Sequence, residues 1–283
     1  MKSLFAAIAA IGLLAASVDI AAQESPARDA ALDAAIAADW RSDADKARDQ
    51  HRHPYESLTF WGLAPGQTVV EINPGGGAWW TPILARYAHL TGGTYIAGFN
   101  DLSGDDVSDN ARNARAAFLN RFSDASTFGT VTAVDFGRNA GLALPDNSAD
   151  LIMTARNVHN WVGENGPAAQ YFAEFARVLK PGGVLGVIDH RAGEGADPFA
   201  QTGYLPESYV ISLAEAAGLV LDARSEVNAN PADDHDHPFG VWTLPPVGRT
   251  APFGQPANPD FDRAPYDAIG ESDRMTLRFV KPN

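Results

Sequence analysis

Two short stretches hold the residues best suited to moving a proton, RNVHNW (156–161) and DHR (189–191). Histidine is the side chain whose unperturbed pKa lies nearest neutrality, so His159 and His190 are candidate acid–base or substrate-orienting groups, with Arg156 and Asn157 beside them. A structural reading competes: His159 and Trp161 open the next helix while Asp189 and Arg191 pair to hold a loop. A third stretch, EINPGGG (71–77), offers bare backbone. Gly75, Gly76 and Gly77 permit positive φ and close approach, and a helix starting near Ala78 would aim its free amides at whatever lies against the loop.

These stretches need a scaffold that brings them to one edge. Short β-branched or apolar runs at 68–72, 94–99, 131–135, 149–155 and 183–189 alternate with segments long enough for crossover helices. Several of the runs lack polar alternation, as strands covered on both faces do, and the pattern predicts an α/β fold with a mostly parallel sheet. In such sheets ligands bind beyond the carboxyl ends of the strands, where strand order reverses. That places 71–77, 156–161 and 189–191 at one edge. Leu32, Ile36 and Trp40 sit at helical spacing, predicting an entry helix between residues 23 and 49. Pro54 opens a short helix that Gly62 closes, Phe172, Phe175 and Leu179 form the apolar stripe of a helix stopped by KPGG (180–183), and a further helix runs from Pro206 to Gly218.

The glycine loop discriminates among ligands. A phosphate-binding loop needs Gly-Lys-Ser/Thr, which does not follow, and a dinucleotide fingerprint counted from Gly75 and Gly77 needs glycine where Trp80 stands. Over residues 50 to about 230 the sequence instead resembles the class I S-adenosylmethionine-dependent methyltransferases, on EFARVLKPGGVLGVIDH (174–190) and LALPDNSADLIMT (142–154). More narrowly it resembles an exported group of that family through RHP (52–54), VVEINPGGG (69–77), RNVHNW (156–161), LKPGGVLGVIDHRA (179–192) and IGESDRM (269–275). The resemblance implies a doubly wound, mostly parallel seven-stranded sheet with helices on both faces, S-adenosylmethionine as cofactor and a small molecule as methyl acceptor. It implies that Glu71, Asn73 and Gly75 to Gly77 surround the methionine moiety, that Asn100 or, with the loop displaced by one residue, Asp101 grips the ribose, and that Asp135 lies at the adenine. Asn73 and Pro74 depart from the family pattern, which begins this motif with glycine.

Two readings compete with methyl transfer. In one, an enzyme keeps the scaffold but uses His159 and His190 for other chemistry; in the other, a non-catalytic protein binds a nucleoside-like or aromatic ligand.

Lys2, the apolar run from Leu4 to Ala16 and the small residues that follow read as an export signal over 1–22, leaving a single domain at 23–283 and a periplasmic setting. The full chain carries 21 Lys and Arg against 35 Asp and Glu, a net charge of -14, and loss of Lys2 and Asp19 leaves that value unchanged. Such a surface repels phosphate backbones and anionic lipid, so neither nucleic acid nor membrane is an expected partner. The chain has no cysteine, which excludes disulfides and thiol nucleophiles.

Eight of the 19 prolines fall between 231 and 265, marking 228–270 as an irregular excursion, either a lid over the site or a structural wrap. Within it DDHDHP (233–238) has metal-ligand residue types but reads equally as a solvated loop, and no metal is assigned. His51 and His53 either reach the cofactor or cap and pack near Trp61. Glu271, Asp273 and Arg274 either form a salt-bridged turn or reach the mouth of the site. RMTLRFVKP (274–282) alternates as an edge-type strand does.

Overall fold

The structure, a computed structural model, describes residues 28–283. The export signal expected at 1–22 lies outside the described residues. Seven strands form the main path of the sheet: β1 (Thr68–Ile72), β2 (Thr94–Gly98), β3 (Val131–Val134), β4 (Ala149–Ala155), β5 (Leu179–Ala192), β6 (Val220–Ser225) and β7 (Arg274–Val280). Their order is β3-β2-β1-β4-β5-β7-β6, and a two-residue strand, Leu205–Pro206, pairs beside the end of β5 as an eighth member. Pairs among β1 to β5 are parallel, while β7 runs antiparallel to both of its neighbours. Strand order therefore reverses between β1 and β4, where the glycine loop and RNVHNW emerge side by side.

Successive side chains of each strand serve opposite faces. On one face Val69, Leu151 and Met153 pack with helices α1 (Ala30–Ala37), α2 (Pro54–Phe60), α3 (Thr81–Thr91) and α4 (Asp109–Arg121) through Leu32, Leu58, Ile83, Leu84, Tyr87 and Phe118. On the other, Val70, Ile72, Ile152, Leu185 and Val187 meet Phe172 and Phe175 of α5 (Ala168–Val178) and Val210 of α6 (Glu207–Ala216).

Several expectations are corrected. The entry helix is broken into α1 and two four-residue helices, Asp43–Lys46 and Asp49–Arg52, because Asp29 and Ser42 each cap a separate start; Trp40 lies between them, half exposed. Leu179 is the first residue of β5 rather than the last of the helical stripe. The final strand is interior, not an edge: β7 sits between β5 and β6, and the edge belongs to β6, which the apolar pattern did not announce. The Pro-rich excursion contains a short strand, Pro238–Val241, and a short helix, Ala264–Ile269.

Trp61, fully buried, closes the end of α2 against the sheet. Its indole Nε1 donates to the carbonyl of Leu277 on β7 at 3.0 Å, and its ring lies flat on Gly186 of β5, where an added methyl group would overlap it. Glycine is required there by close approach rather than by backbone angle. Gly186→Ala is expected to cost about 1–3 kcal/mol through overpacking, measurable as a lower urea midpoint at unchanged m value.

Candidate active site at the carboxyl edge of the sheet

The glycine loop turns in its own way. Gly75 has φ 70°, but the other left-handed residues are Asn73 (φ 46°) and Ala78 (φ 44°), and the helix starts at Thr81 rather than near Ala78. Gly76 and Gly77 are required neither by backbone angle nor by packing: a side chain added at either would meet nothing within 4 Å, so the loop is open there. The loop borders two cavities. One, of about 310 Å³, is walled by Glu71, Asn73 to Gly75 and Gly77, by Trp79 and Trp80, and across from them by Arg48, Arg52, Arg156 and Asn157. The other, of about 380 Å³, lies on the far side of the loop against Phe99 and Asn100 and against Ala114, Ala117, Phe118 and Arg121 of α4. Both volumes fall within or near the range of small-molecule sites, and Gly75 and Ala78 belong to both walls. Trp79, Trp80 and Pro74 line the first cavity without filling it.

Glu71, near the end of β1, is buried, and its Oε2 accepts from Thr81 Oγ1 at 2.8 Å and from the Tyr95 hydroxyl at 2.6 Å. Burial raises its pKa to about 7, against the two hydrogen bonds that favour the charged form. Asn157 fixes the β4 loop to β1, donating from Nδ2 to the Ile72 carbonyl at 3.0 Å and to Thr154 Oγ1 at 3.1 Å. Arg156, with φ 61°, starts the turn; its backbone N–H continues the sheet to Ile188 at 2.8 Å.

The two histidines meet, with ring centroids 4.9 Å apart. Val158–Asn160 forms a single 3₁₀ turn, yet Asp189 pairs with His159 rather than with Arg191. The buried Asp189 carboxylate accepts from His159 Nδ1 at 2.7 Å, from the His159 backbone at 3.2 Å and from the His190 backbone at 2.8 Å. A carboxylate only accepts, so Nδ1 carries the proton and Nε2 is left as the basic nitrogen. His159 lines a third cavity of about 270 Å³ with Phe199, Tyr204 and Trp242. His190 is a different kind of residue: its Nδ1 lies 2.5 Å from Ser272 Oγ and its Nε2 accepts from Arg156 Nε at 3.4 Å. Burial first, then the neighbouring His159 and Arg156, push its pKa well below the ordinary range and keep it neutral. His190 therefore positions its neighbours.

Other expected residues are spent within the protein. Asp101 accepts from Ser103, Asn139 and Ala140, and Asp135 pairs with Arg115 at 2.7 Å and accepts from the Leu102 N–H; neither lines the cavities beside the glycine loop. Asn100 lines the α4 cavity while its Nδ2 donates to the Ala111 carbonyl at 3.2 Å. His53 contacts Asn228 at 3.3 Å, and His51 and His53 line a cavity of their own with Asn228 and Asn230, away from the glycine loop. Asp233 and His237 pair at 2.8 Å, and Asp233 also accepts from the Tyr204 hydroxyl and from the backbone of His235 and Asp273, so DDHDHP is knitted into the fold. The excursion does reach the site: Trp242 lies 6.0 Å from His159, centroid to centroid, and Pro246 and Val247 close the first cavity. Phe261 stacks on Tyr266, while Phe253 is solvent-exposed.

Sequence reasoning missed Arg48 and Arg52. They stand four apart on the entry segment, a spacing that puts both on one side, and that was the available signal. Glu271 joins them: it receives Arg48 Nε at 2.7 Å, Arg52 Nε at 3.1 Å and Arg274 Nη1 at 3.1 Å. Glu271 and Arg274 therefore do form a salt-bridged turn, and one that backs onto the cavity. Arg191 pairs instead with Asp273 at 2.9 Å and Glu226 at 2.8 Å.

The strand order and the open loop at its reversal define a class I methyltransferase fold. Residues 71–187, less than half of the chain, match the family model described as a methyltransferase domain. Among solved structures it is similar to geranyl diphosphate C-methyltransferase from Streptomyces coelicolor A3(2), with TM-score 0.52 and 14% identity, covering 88% of this chain and 87% of that one. It is also similar to the [4+2]-cyclase SpnF, with TM-score 0.50 and 18% identity over 87% of this chain and 83% of that one. Comparison with the curated proteins gives no match.

Glu71 yields a prediction. A carboxyl whose pKa rises from 4.5 when unfolded to about 7 when folded binds more protons in the folded state between those values, so stability falls as pH rises through that window. Glutamine mimics the protonated acid, and Glu71→Gln is expected to gain on the native protein by up to roughly 3 kcal/mol between pH 4.5 and 8. Urea titrations at several pH values measure it; parallel stability curves for the two proteins would contradict it.

Proposed function

We propose that the protein is an S-adenosylmethionine-dependent methyltransferase that acts on a small molecule after export from the cytoplasm. The observation that carries this reading is the open, two-sided glycine loop at the strand reversal, inside the segment that matches the methyltransferase-domain model. The residues present fit the cofactor. The loop is bare where a ligand must touch backbone, Glu71 offers a carboxyl to one cavity, and Phe99 and Asn100 offer an apolar face and an amide to the other. When bound, S-adenosylmethionine supplies an electrophilic methyl group. Export is supported by the apolar N-terminal run. No described helix is long and apolar enough to cross a membrane.

The chain's own share of the work is orientation, exclusion of water and control of one proton. Asn157 holds the β4 turn against β1 and so sets the spacing between the glycine loop and the acceptor side. Asp189 fixes the His159 tautomer and stabilises the imidazolium that forms when Nε2 removes a proton from an acceptor hydroxyl, amine or acidic carbon. Pro246 and Val247 wall the first cavity and Trp242 walls the cavity of His159, which favours the lid role of the excursion.

Two measurements test this. S-adenosylhomocysteine at a hundredfold excess over its dissociation constant is expected to stabilise the protein by about 2.7 kcal/mol, raising Tm by about 5–10 °C. His159→Ala should lower turnover by about 10²–10⁴-fold while leaving that stabilisation intact. A thermal midpoint insensitive to the compound at millimolar concentration would refute cofactor use, and full activity in His159→Ala would remove the base.

A further inference from the structure

The first cavity is cationic to a degree that its internal partners do not neutralise. Arg48, Arg52 and Arg274 converge on one buried carboxylate, Glu271, and Arg48 and Arg52 line the cavity together with Arg156, which does not pair with it. Burial opposes ionisation of Glu271, yet Arg52, Arg274 and Arg48 hold it at about 2, so it remains a full negative charge, one against the three guanidinium groups that pair with it. Burial and like-charge neighbours depress Arg52, Arg156 and Arg274. Arg48 Nη2 is buried with no hydrogen-bond partner among the described residues. Arg156 spends Nε on the neutral His190 and, among the described residues, makes no side-chain ion pair. Several guanidinium donors around one carboxylate leave desolvated positive charge, which is costly unless an anion completes the site.

We propose that Arg48, Arg52 and Arg156 form an oxyanion-binding site, and that the methyl acceptor carries a carboxylate or phosphate group held there. The assignment to the acceptor rests on the methyltransferase reading; the anion site itself does not. Charge distinguishes acceptor from cofactor. S-adenosylmethionine brings one carboxylate but also an ammonium and a sulfonium, so its amino-acid end would set cation against guanidinium. An acceptor with an isolated acidic group brings negative charge alone. Guanidinium forks match both carboxylate and phosphate oxygens in pairs. Placed on this wall, the acidic group would anchor the acceptor across the cavity from the glycine loop, with Trp79 under Arg52 at 4.7 Å keeping that guanidinium flat and in place.

The test uses the full-length protein and calorimetric titration with inorganic phosphate and, separately, with malonate at constant ionic strength. Binding of at least one is expected, and Arg48→Gln and Arg156→Gln should each weaken it roughly tenfold or more. Arg48 is the most exposed of the lining pair from the entry segment and Arg156 belongs to a different element, so one variant survives if the other fails to fold. S-adenosylhomocysteine binding should change little in either variant. Absence of binding by both anions at millimolar concentration, or equal binding by native and variant proteins, overturns the site. If both variants lose S-adenosylhomocysteine but keep 5′-methylthioadenosine, which lacks the amino-acid end, the arginines serve the cofactor and the acceptor assignment is overturned. Arginine-dependent phosphate binding in a protein indifferent to S-adenosylhomocysteine supports the anion site and removes the methyl-donor reading.

Discussion

The buried carboxylate of Glu271 holds together parts of the chain that have no other reason to meet. It gathers Arg48 and Arg52 from the segment before the first strand and Arg274 from the last, more than 200 residues away in sequence. Arg274 passes the connection on by donating to the His51 carbonyl at 2.6 Å. Without that single negative charge, three guanidinium groups would face one another in a medium where their hydration is lost. Buried ion pairs seldom add net stability compared with apolar packing, but removing one partner is severe because the remaining charges stay behind. Glu271 is best understood as a fastener of position. It sets the wall of the cavity opposite the glycine loop, and so sets the width of the site.

A second carboxylate does for the adjacent strands what Glu271 does for the termini. Asp189 is fully buried at the end of β5, and each bond it accepts comes from the β4 turn or from its own neighbour. His159 gains a fixed tautomer, and His190, bonded to Ser272 on one side and Arg156 on the other, spans the distance between the two carboxylate centres. The chain of contacts from Glu271 through Ser272, His190 and Asp189 to His159 makes the arginine wall and His159 parts of one polar layer. Asn157 joins that layer to the glycine loop through β1. A polar network this continuous behaves as a unit, and its members respond to substitution non-additively.

What the sequence made legible follows from which interactions are local. The β1 to β5 runs were readable because their neighbours on both faces are apolar, so Val69, Val70, Ile152 and Val187 announce burial by composition alone. β7 was misread as an edge because Arg274 and Thr276 look like solvent-facing residues. Arg274 is buried against Glu271, and Thr276 against Asn228, whose Nδ2 donates to it at 2.9 Å. Both partners are invisible to a local window. β6 escaped notice for the complementary reason: as the true edge it alternates half-buried and exposed positions and carries Asp222 and Arg224. At the site, His159 and Asp189 were legible by residue type and by placement at strand ends. Asp101 and Asp135 were equally legible as types, yet their oxygens close neighbouring loops, a use that spacing does not reveal.

The distribution of charge carries the last step. A chain with 35 acidic and 21 basic residues has few cations to spend, yet three arginines pair with one interior carboxylate and a fourth, Arg156, lines the cavity beside two of them. On a net-negative protein this arrangement cannot serve to draw anions in quickly, because the outer field opposes their approach. Its effect is on what is retained. A ligand with a diffuse or exposed negative charge meets repulsion outside and gains little inside, whereas one with a compact acidic group on an otherwise neutral body loses little on approach and meets desolvated guanidinium groups once within. Electrostatics of this kind contribute more to discrimination than to encounter. The acidic exterior and the cationic cavity are therefore two halves of one selection, and the segment at Pro246 and Val247 lines that cavity.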